Sequence, residues 1–406
     1  MKAPIMPKTR FRSITLCRHY PLAFILLTAL LLTPALAQAF GLGKVSALFG
    51  IEPGSRLAKP YAVLKEQEFP YSQSFYPTSV AWSADGRYIA DTGILTPLIH
   101  VWDVKTRRIV QTLSFNGQSD GYHAMAWSPD GRYLAVCANT GPVMTGIWDT
   151  RTWQLVAKLP TPHRRDMACQ SPAFSPDSRY LAVATGKNVH VYATTTWTAV
   201  AHTPFRRLPH FGPAGYIFNI VQIAFRPHSD ELAIGIEGYF PGDLAKADYG
   251  RARVLFWHFK GPALDLPHAP PRSVFRPYRL GSLDSLTYNP AGTEFATGTG
   301  SGSGLGKAYG GSARIWDATT HHLLGAPMDG HDFAGVNYGL AYTIDGRYLI
   351  VGHSGHSGEI DFIDARTFKV VDTVHADHLI GAIAVDPAAA MFVATARYRL
   401  YVWSIR

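Results

Sequence analysis

Two histidine pairs in the sequence have a spacing that could bind a metal ion. The first is His353-Ser-Gly-His356, with Glu359 three residues later, and the second is His375-Ala-Asp-His378. Imidazole and carboxylate groups are common zinc ligands, and a structural zinc site needs four of them. Each pair lacks a clear third and fourth ligand, so the sequence by itself predicts no metal site and no cofactor.

A glycine-rich segment from Gly298 to Gly311 resembles two catalytic motifs without completing either one. Residues 301–308 resemble a phosphate-binding loop, but the first glycine and the final serine or threonine of that motif are missing. Residues 300–304 read Gly-Ser-Gly-Ser-Gly, which is similar to the Gly-x-Ser-x-Gly pattern around a nucleophilic serine but has glycine at the central position, and they lie in a low-complexity stretch and not at a strand-to-helix turn. We therefore interpret the segment as a loop between two strands.

One sequence motif recurs along the chain, and it indicates the architecture that must position any functional residue. It reads Val-Ala-Trp-Ser-Ala-Asp-Gly-Arg-Tyr-Ile-Ala over residues 80–90, and close copies occupy residues 125–135 and 172–182. Four weaker copies make seven in all, and they begin at Ile223, Leu286, Leu340 and Ile383. The Ser-Pro-Asp-Gly core suits a type I turn, because proline fixes φ at its second position and glycine is favoured at its fourth. Each copy therefore predicts a strand, a tight turn and a second strand.

A small residue stands directly before the aromatic position of every copy, and in six of the seven copies it is alanine. A strand close to the axis of a closed ring has room for little more on that face, while large apolar residues fill the gap to the next unit. We expect these residues to face the axis: Ala81, Ala126, Ala173, Ala224, Thr287, Ala341 and Ala384.

A further strand pattern follows each copy and closes on an aromatic residue. Three units close on Trp-Asp, at Trp102-Asp103, Trp148-Asp149 and Trp316-Asp317, and an edge strand comes next, as in residues 108–113. Together with the Ser-Pro-Asp-Gly turns, these residues resemble the WD-repeat (WD40) family over about residues 60–406. The resemblance implies an all-β, seven-bladed β-propeller of four-stranded blades.

The sequence departs from the family pattern in its buried polar residues. The Gly-His dipeptide of the family occurs once in the expected place, as Gly330-His331, and that unit has Ile363 where a tryptophan should stand. We therefore expect the family's His/Ser/Asp/Trp hydrogen-bond network to be incomplete in every blade.

The two ends of the propeller region predict how its ring closes. Arg406 follows directly after the third strand of the last blade, whereas residues 61–69 have the length and pattern of an outer strand. Pairing the two would complete the last blade and remove an open sheet edge. The predicted organisation is a propeller over residues 59–406, preceded by a leader of uncertain order over residues 38–58.

Residues 1–37 have the composition of a signal peptide. They contain five of the 38 basic residues and none of the 29 acidic ones, followed by an apolar run over residues 21–32 and an Ala-x-Ala site. Cleavage after Ala37 or Ala39 would leave 33 basic and 29 acidic residues, a net charge of +4 that is too mild to indicate nucleic-acid binding. The sequence predicts a periplasmic protein with no membrane span after cleavage; secretion and an uncleaved membrane anchor are the alternatives.

Two cysteines, Cys137 and Cys169, lie beyond the signal peptide. The repeat alignment places Cys137 at the end of the second strand of blade 2 and Cys169 in the loop that enters blade 3, at the same face of the ring. An oxidising compartment permits a disulfide, provided that the two Cα atoms lie within about 7 Å. We predict this bond; the alternative is that each cysteine is a small buried apolar residue.

The longest insertions lie at one face of the predicted propeller, because the loops that enter a blade and those between its second and third strands share that face. They cover residues 202–216, 237–249, 271–279 and 298–311. Arginine, histidine and aromatic residues are interspersed in them, which indicates a binding surface, although such loops could merely cover the mouth of the ring. The candidate partner-binding residues are Arg206, Arg207, His210, Tyr216, Phe240, Arg276, Tyr278, Arg279 and His331.

The WD-repeat resemblance implies partner binding, and the sequence contains no recognisable catalytic constellation. The most direct hypothesis is a monomeric binding scaffold, not an enzyme, for a protein partner or a small anionic or polar ligand. One alternative is an exported enzyme that resembles lactonase or quinoprotein propellers, with a channel-mouth ring drawn from His123, Arg164, Arg165, Asp166, His210, Arg279, Asp284, His331 and His378. Another resembles the propeller of the Tol envelope system, which would usually bring a separate α/β domain for which this chain has no room.

Overall fold

The repeated phrase folds as the predicted hairpin, and its polar residues hold the turn together. In the second copy, the Gly131 N–H donates to the carbonyl of Ser128 (2.8 Å), and Ser128 Oγ donates to Asp130 Oδ1 (2.5 Å). The same carboxylate oxygen accepts the N–H of Arg132 (3.0 Å). Gly131 has a φ of +72°, which glycine adopts without steric cost. The hydroxyl-to-carboxylate contact recurs at 2.6 Å in the turns that begin at Ser83, Ser175 and Thr343.

The computed structural model describes residues 62–65, 76–94, 97–115, 121–138, 143–160, 169–186, 188–203, 217–239, 253–260, 283–299, 312–327, 339–353, 358–376, 380–388, 390–396 and 399–405. The chain divides into two units, Met1–Ser55 and Arg56–Arg406, and all of these residues belong to the second. They form 27 strands in seven sheets. None of them forms a helix long and apolar enough to cross a membrane.

Each sheet is one blade, and its strands are lettered a to d from the inner strand outward. Blade 1 contains β2 (Tyr76–Trp82), β3 (Tyr88–Ile94), β4 (Ile99–Asp103) and β5 (Arg108–Leu113). Blade 2 contains β6 (Tyr122–Trp127), β7 (Tyr133–Ala138), β8 (Val143–Asp149) and β9 (Gln154–Pro160). Blade 3 contains β10 (Cys169–Phe174), β11 (Tyr180–Thr185), β12 (Asn188–Ala193) and β13 (Ala199–His202). Blade 4 has three strands within the described residues, β14 (Ile217–Phe225), β15 (Glu231–Tyr239) and β16 (Arg253–His258).

The remaining three blades are four-stranded. Blade 5 contains β17 (Leu283–Tyr288), β18 (Glu294–Thr299), β19 (Ser312–Asp317) and β20 (Leu323–Gly325). Blade 6 contains β21 (Gly339–Tyr342), β22 (Tyr348–Gly352), β23 (Glu359–Asp364) and β24 (Lys369–His375). Blade 7 contains β25 (Ile380–Val385), β26 (Met391–Ala396) and β27 (Arg399–Ser404), with β1 (Ala62–Lys65) as its outer strand.

The inner strands form a closed ring. Each strand a packs against strand a of the next blade in the order β2, β6, β10, β14, β17, β21 and β25, and β25 packs against β2. Val80 and Trp82 of blade 1 share a buried cluster with Val393 and Val402 of blade 7. The prediction of a seven-bladed β-propeller is therefore confirmed.

The backbone of β1 pairs with the last blade, over a shorter stretch than residues 61–69. Ala62 lies opposite Val402 and Lys65 opposite Arg399, in an antiparallel ladder with β27. Residues 66–69 lie outside the described part of the chain. That this strand is what closes the ring stays a prediction, which is tested below.

Large side chains fill the seams between neighbouring blades. Trp153 and Trp197 occupy left-handed backbone positions, both with φ +57°, in the c–d turns of blades 2 and 3. Trp153 meets Tyr88 of blade 1 edge-on with ring centroids 5.7 Å apart, and Trp197 meets Tyr133 of blade 2 at 4.9 Å. Such aromatic pairs add about 0.5–1.5 kcal/mol each beyond the area that they bury. They stabilise each blade against its neighbour.

Buried polar contacts on strand c differ from blade to blade. Trp316 Nε1 donates to Thr297 Oγ1 (3.1 Å) in blade 5, and Trp102 Nε1 donates to Asp91 Oδ1 (2.5 Å) in blade 1. Blade 6 has Ile363 in place of the tryptophan. There the buried polar contact is between the end of strand b and strand c, where His353 Nε2 lies 3.0 Å from Asp361 Oδ2. The buried polar contact at this position therefore differs among blades 1, 5 and 6.

Candidate binding site

The strand ends that flank the long insertions converge on one face of the ring. Strands a begin and strands b end at this face, so the connections β13–β14, β15–β16 and β18–β19 all leave from it. These connections belong to three consecutive blades, 3, 4 and 5. We call this side the insertion-bearing face, and the side with the a–b and c–d turns the turn face.

All nine candidate partner-binding residues lie outside the described residues. These are Arg206, Arg207, His210, Tyr216, Phe240, Arg276, Tyr278, Arg279 and His331. Of the residues considered for a catalytic ring, His123 and Asp284 fall within the described strands, on β6 and β17. The described geometry of the site is therefore that of the inner strands that lead to this face.

The inner strands present their small residues to an axial channel. Each of the seven residues before the aromatic position is partly exposed, whereas its neighbours are mostly buried; Ala173, for example, lies between the buried Pro172 and Phe174. A side chain on the innermost strand can gain solvent exposure through an opening along the axis. We infer from this exposure that six alanines and Thr287 face the axis of the ring.

A β-bulge near the insertion-bearing face changes which inner-strand residues reach the channel. In blades 1 to 5 and 7, strand a has one extra residue relative to strand b, three positions before the small residue. In a regular strand, the residue two positions before the small one would face the same side of the sheet as the small one. The extra residue of a bulge shifts this alternation, so the residue three positions before the small one takes that side instead. The extra residues are Thr78, His123, Gln170, Val221, Asp284 and Gly381.

Burial shows the effect of the bulge on both sides of the strand. Gln170, Val221 and Asp284 are partly exposed, whereas Ser171 and Ser285, one position later, are buried. A buried serine turned away from the channel can hydrogen-bond within the seam between blades. Such bonds occur in two seams: Ser79 Oγ accepts the N–H of Met125 (3.2 Å), and Ser171 Oγ accepts the N–H of Ile223 (3.4 Å).

The bulge positions give the mouth of the channel a mixed chemical character. Among the side chains that the structure describes, they carry the Gln170 amide and the Asp284 carboxylate. Amide and carboxylate groups at a concave opening can fix the orientation of a polar ligand. The sequence pattern singled out His123 and Asp284 but missed Thr78 and Gln170, because a bulge becomes visible only in the strand pairing.

The two cysteines lie together in the seam between blades 2 and 3. The Cα atoms of Cys137 and Cys169 lie 5.2 Å apart, and both side chains are fully buried. Thr145 Oγ1 lies 3.5 Å from the Cys169 sulfur and 3.9 Å from the Cys137 sulfur. The separation meets the geometric condition for the predicted bond; the oxidation state of the two thiols stays a prediction.

A polar cluster at the turn face joins blades 4 and 5. Arg226 stands where four of the other copies have serine or threonine, and its guanidinium donates to the carbonyl of Gly292 (2.7 Å) and to Thr319 Oγ1 (3.0 Å). Glu231 accepts the Tyr288 hydroxyl (3.0 Å), and burial together with this carboxylate raises the pKa of the Tyr288 phenol. These contacts join blade 4 to blade 5, so we assign the cluster a structural role.

The aspartates at the ends of strands c accept hydrogen bonds from backbone N–H groups of the turn that follows. Asp364 Oδ1 accepts the N–H groups of Thr367 (2.7 Å) and Arg366 (3.1 Å), and these hydrogen bonds lower the pKa of its carboxyl group. Asp317 has the same arrangement with Thr319 and Thr320 and the same direction of pKa shift. An aspartate committed to a turn in this way is a fold-forming residue and not a candidate for acid–base chemistry.

The match to a protein family agrees with the fold. Residues 109–141 match the family model described as "WD domain, G-beta repeat". The matched segment runs from β5 of blade 1 through β7 of blade 2, so one sequence repeat contributes strands to two blades. The comparison with curated proteins gave no match.

The fold and the repeat together define the protein class. A closed ring of seven antiparallel blades is a β-propeller. With the matched WD repeat, the chain is a WD40-type β-propeller, and propellers of this type typically bind proteins.

Proposed function

We propose that this protein is an exported scaffold that binds a protein partner at its insertion-bearing face. The proposed compartment is the periplasm, with secretion as the alternative, and this part rests on the signal-like composition of residues 1–37. The binding role is supported by the class of the protein, since WD40-type propellers typically serve as interaction scaffolds.

One observation supports the choice of face. The described strand ends that flank the insertions of blades 3, 4 and 5 all lie at the same side of the ring. Loops that depart from adjacent points of a rigid scaffold form one continuous surface, and loops of this kind carry function in many folds. The turn face, in contrast, has short turns in which polar side chains such as Ser128 and Asp364 hydrogen-bond within the turn itself.

The composition of the insertions suggests what the face would bind. Arg206, Arg207, Arg276 and Arg279 offer planar donors that fit carboxylate groups in two-point contacts, and nearby aromatic residues offer flat apolar surface. A partner that presents acidic side chains beside an apolar patch matches this combination. A small anionic or polar ligand is the second class that the same chemistry admits.

The experiment compares two sets of arginine and lysine substitutions. The tagged mature protein is used to capture partners from periplasmic extract, and the recovered partner is then titrated against each variant. Replacing Arg206, Arg207, Arg276 and Arg279 by alanine should weaken binding by roughly 10-fold or more, because alanine replacement of a central interface arginine often costs more than 1 kcal/mol. The matched control replaces Lys105, Arg107 and Arg108, exposed residues at a c–d turn of the opposite face.

Both outcomes of that comparison are informative. A large loss for the first set with wild-type affinity for the control supports the insertion-bearing face. Equal losses from the two sets would show that the face has been misassigned or that the attraction is only one of net charge.

An exported propeller enzyme is the second candidate. It is favoured by His123 and Asp284, which occupy equivalent bulge positions on inner strands of blades 2 and 5. A screen of lactone and ester substrates with the wild type and a His123→Ala, Asp284→Asn variant separates the two functions. Turnover that disappears in the variant would favour the enzyme. A Tol-like role in envelope assembly would instead appear as a recurrent envelope protein among the captured partners.

A further inference from the structure

Two neighbouring seams of the propeller contain the same pair of residue types at the turn face. In the seam between blades 4 and 5, Glu231 begins strand b of blade 4 and Tyr288 ends strand a of blade 5. In the seam between blades 5 and 6, Glu294 and Tyr342 occupy the equivalent positions. Because the positions are equivalent, the first seam shows which contacts a glutamate and a tyrosine can make there.

The glutamate of the first seam is surrounded by groups that stabilise its ionised form. The Tyr288 hydroxyl donates to Glu231 Oε1 (3.0 Å), and the Arg226 guanidinium lies 3.5 Å from the same oxygen. His258 is directly opposite Glu231 on strand c, with its Nε2 atom 3.5 Å from Glu231 Oε2. Both carboxylate oxygens of Glu231 therefore have partners, and a cation accompanies their negative charge.

Blade 5 has different residues at the positions of those two basic groups. Asn289 stands in the position of Arg226. Asp317 is directly opposite Glu294, in the position of His258. Like charges on directly opposite residues destabilise an antiparallel pair. Glu294 therefore faces a second carboxylate where Glu231 faces an imidazole.

One oxygen of Glu294 and the hydroxyl of Tyr342 are both buried in the second seam. Neither Glu294 Oε2 nor the Tyr342 hydroxyl has a hydrogen-bond partner among the described residues. Tyr342 is 7% exposed and shares a buried cluster with Ala296, which lies on the same side of strand b as Glu294. A buried carboxylate without a cation or a donor is costly, whereas a protonated carboxyl group supplies a donor of its own.

Two titratable groups face Glu294 within the described residues, Asp317 from strand c of blade 5 and Tyr342 from strand a of blade 6. Burial, followed by the negative charge of Asp317, raises the pKa of the Glu294 carboxyl group. Backbone hydrogen bonds from Thr320 and Thr319 lower the pKa of the Asp317 carboxyl group. Of these two carboxyl groups, Glu294 is therefore the one that is protonated first as the pH falls.

We propose that Glu294 is a proton switch for the seam between blades 5 and 6. In mild acid the carboxyl group binds a proton from solvent and donates a hydrogen bond to the Tyr342 hydroxyl, which tightens the seam. As the pH rises, the carboxyl group loses that proton to solvent and the bond is lost. The first seam uses an ionised glutamate with Arg226 beside it, and the second uses a neutral glutamate.

The sign of the effect on stability follows from the direction of the pKa shift. A carboxyl group whose pKa is raised on folding contributes its full stabilisation below the unfolded value, about 4.3 for glutamate, and loses it as the pH rises through the folded value. The wild type should therefore lose stability relative to a Glu294→Gln variant between about pH 4.3 and about pH 8. Glutamine keeps the shape of the side chain and can donate through its amide at every pH.

Urea unfolding of the full mature chain over this pH range measures the difference. At about pH 4.5 the wild type and Glu294→Gln should have similar unfolding equilibrium constants, and at about pH 8 the constant of the variant should be several-fold smaller. The matched control is Glu231→Gln at the equivalent position. This change deprives Arg226 of its carboxylate, so it should increase the unfolding constant at about pH 8.

Two further measurements separate a proton switch from a general effect of charge. Tyr342→Phe removes the acceptor of the proposed bond, so it should destabilise the protein at about pH 4.5 and have little effect at about pH 8. Infrared spectroscopy of the wild type should show a protonated-carboxyl band above about pH 4.3 that is missing from Glu294→Gln. Circular dichroism establishes that each variant is folded.

Three results would overturn the proposal. The first is a Glu294→Gln variant whose stability differs from that of the wild type by the same amount at every pH, because the carboxyl group would then titrate alike in the folded and unfolded chains. The second is a loss of stability in Glu294→Gln at about pH 8 equal to that in Glu231→Gln, since Glu294 would then be stabilised as an anion. The third is an equal cost of Tyr342→Phe in acid and at neutral pH, which would exclude the proposed bond.

Discussion

Two turn glycines of this propeller, Gly292 and Gly131, differ in how many steric constraints exclude a side chain, and Gly292 has two such constraints. Its φ is +67°, and a Cβ atom there would lie 2.7 Å from the carbonyl oxygen of Pro227 in the preceding blade. Gly131 has a similar φ of +72°, but the nearest atom to its Cβ would be Ala84 Cβ at 3.6 Å. The first position therefore combines backbone strain with a clash against the main chain, whereas the second has strain alone.

We predict that Gly292→Ala destabilises the protein more than Gly131→Ala does. The Gly131 substitution should cost about 1–2 kcal/mol, the cost of a left-handed conformation for an L-residue, and the Gly292 substitution should cost more than that. Urea unfolding gives the free energy of unfolding of each variant. Equal losses would mean that the turn of blade 5 can move away from Pro227 at no cost.

The cysteine pair leads to a prediction about both chemistry and compartment. Cys137 and Cys169 are fully buried with Cα atoms 5.2 Å apart, so an oxidising environment should join them. The bond would close a loop with a sequence separation of 32 residues and contribute about 3.7 kcal/mol in the chain-entropy model. We expect no free thiol when the mature protein is unfolded without reductant and treated with a thiol reagent. Two free thiols would contradict both the bond and the oxidising compartment.

At the scale of strands and turns, much of the fold could be predicted because the relevant chemistry is local. The turn from Ser128 to Gly131 needs only four residues to specify its shape, and the tryptophan at the end of strand c marks the next strand. The bulges could not be predicted in this way. Thr78, Gln170, Val221 and Gly381 share no chemical property that the sequence alone would reveal. Their equivalence to one another is visible only in the pairing of strand a with strand b.

The pairing of β1 with β27 yields a prediction for a deletion. Removing residues 61–69 should leave β27 as an exposed edge, because within the described residues β1 alone pairs with its outer side. We expect a lower melting temperature, faster amide exchange in the Val402-Trp403 segment and a tendency to self-associate. A deletion variant that melts like the full mature chain and stays monomeric would show that the ring is closed without this strand.

For the molecule as a whole, export is the property on which most of the proposed function depends. Small residues after the apolar run predict a mature chain that begins at Gln38 or Phe40. Intact-mass measurement of the protein purified from its native host tests this directly, and a change of Ala35 and Ala37 to bulky residues should cause the precursor to accumulate. An unprocessed wild-type chain from Met1 to Arg406 would remove the support for a periplasmic location.

The offset between sequence repeat and blade has a consequence for how the molecule unfolds. Residues 109–141 supply the outer strand of blade 1 and the first two strands of blade 2, so a repeat that detached would disrupt two sheets. In an open solenoid, by contrast, a terminal repeat contacts one neighbour and can fray alone. A ring of interlocked repeats offers no such terminal unit. Unfolding should therefore be cooperative over all seven blades, with no partly opened propeller accumulating along the way.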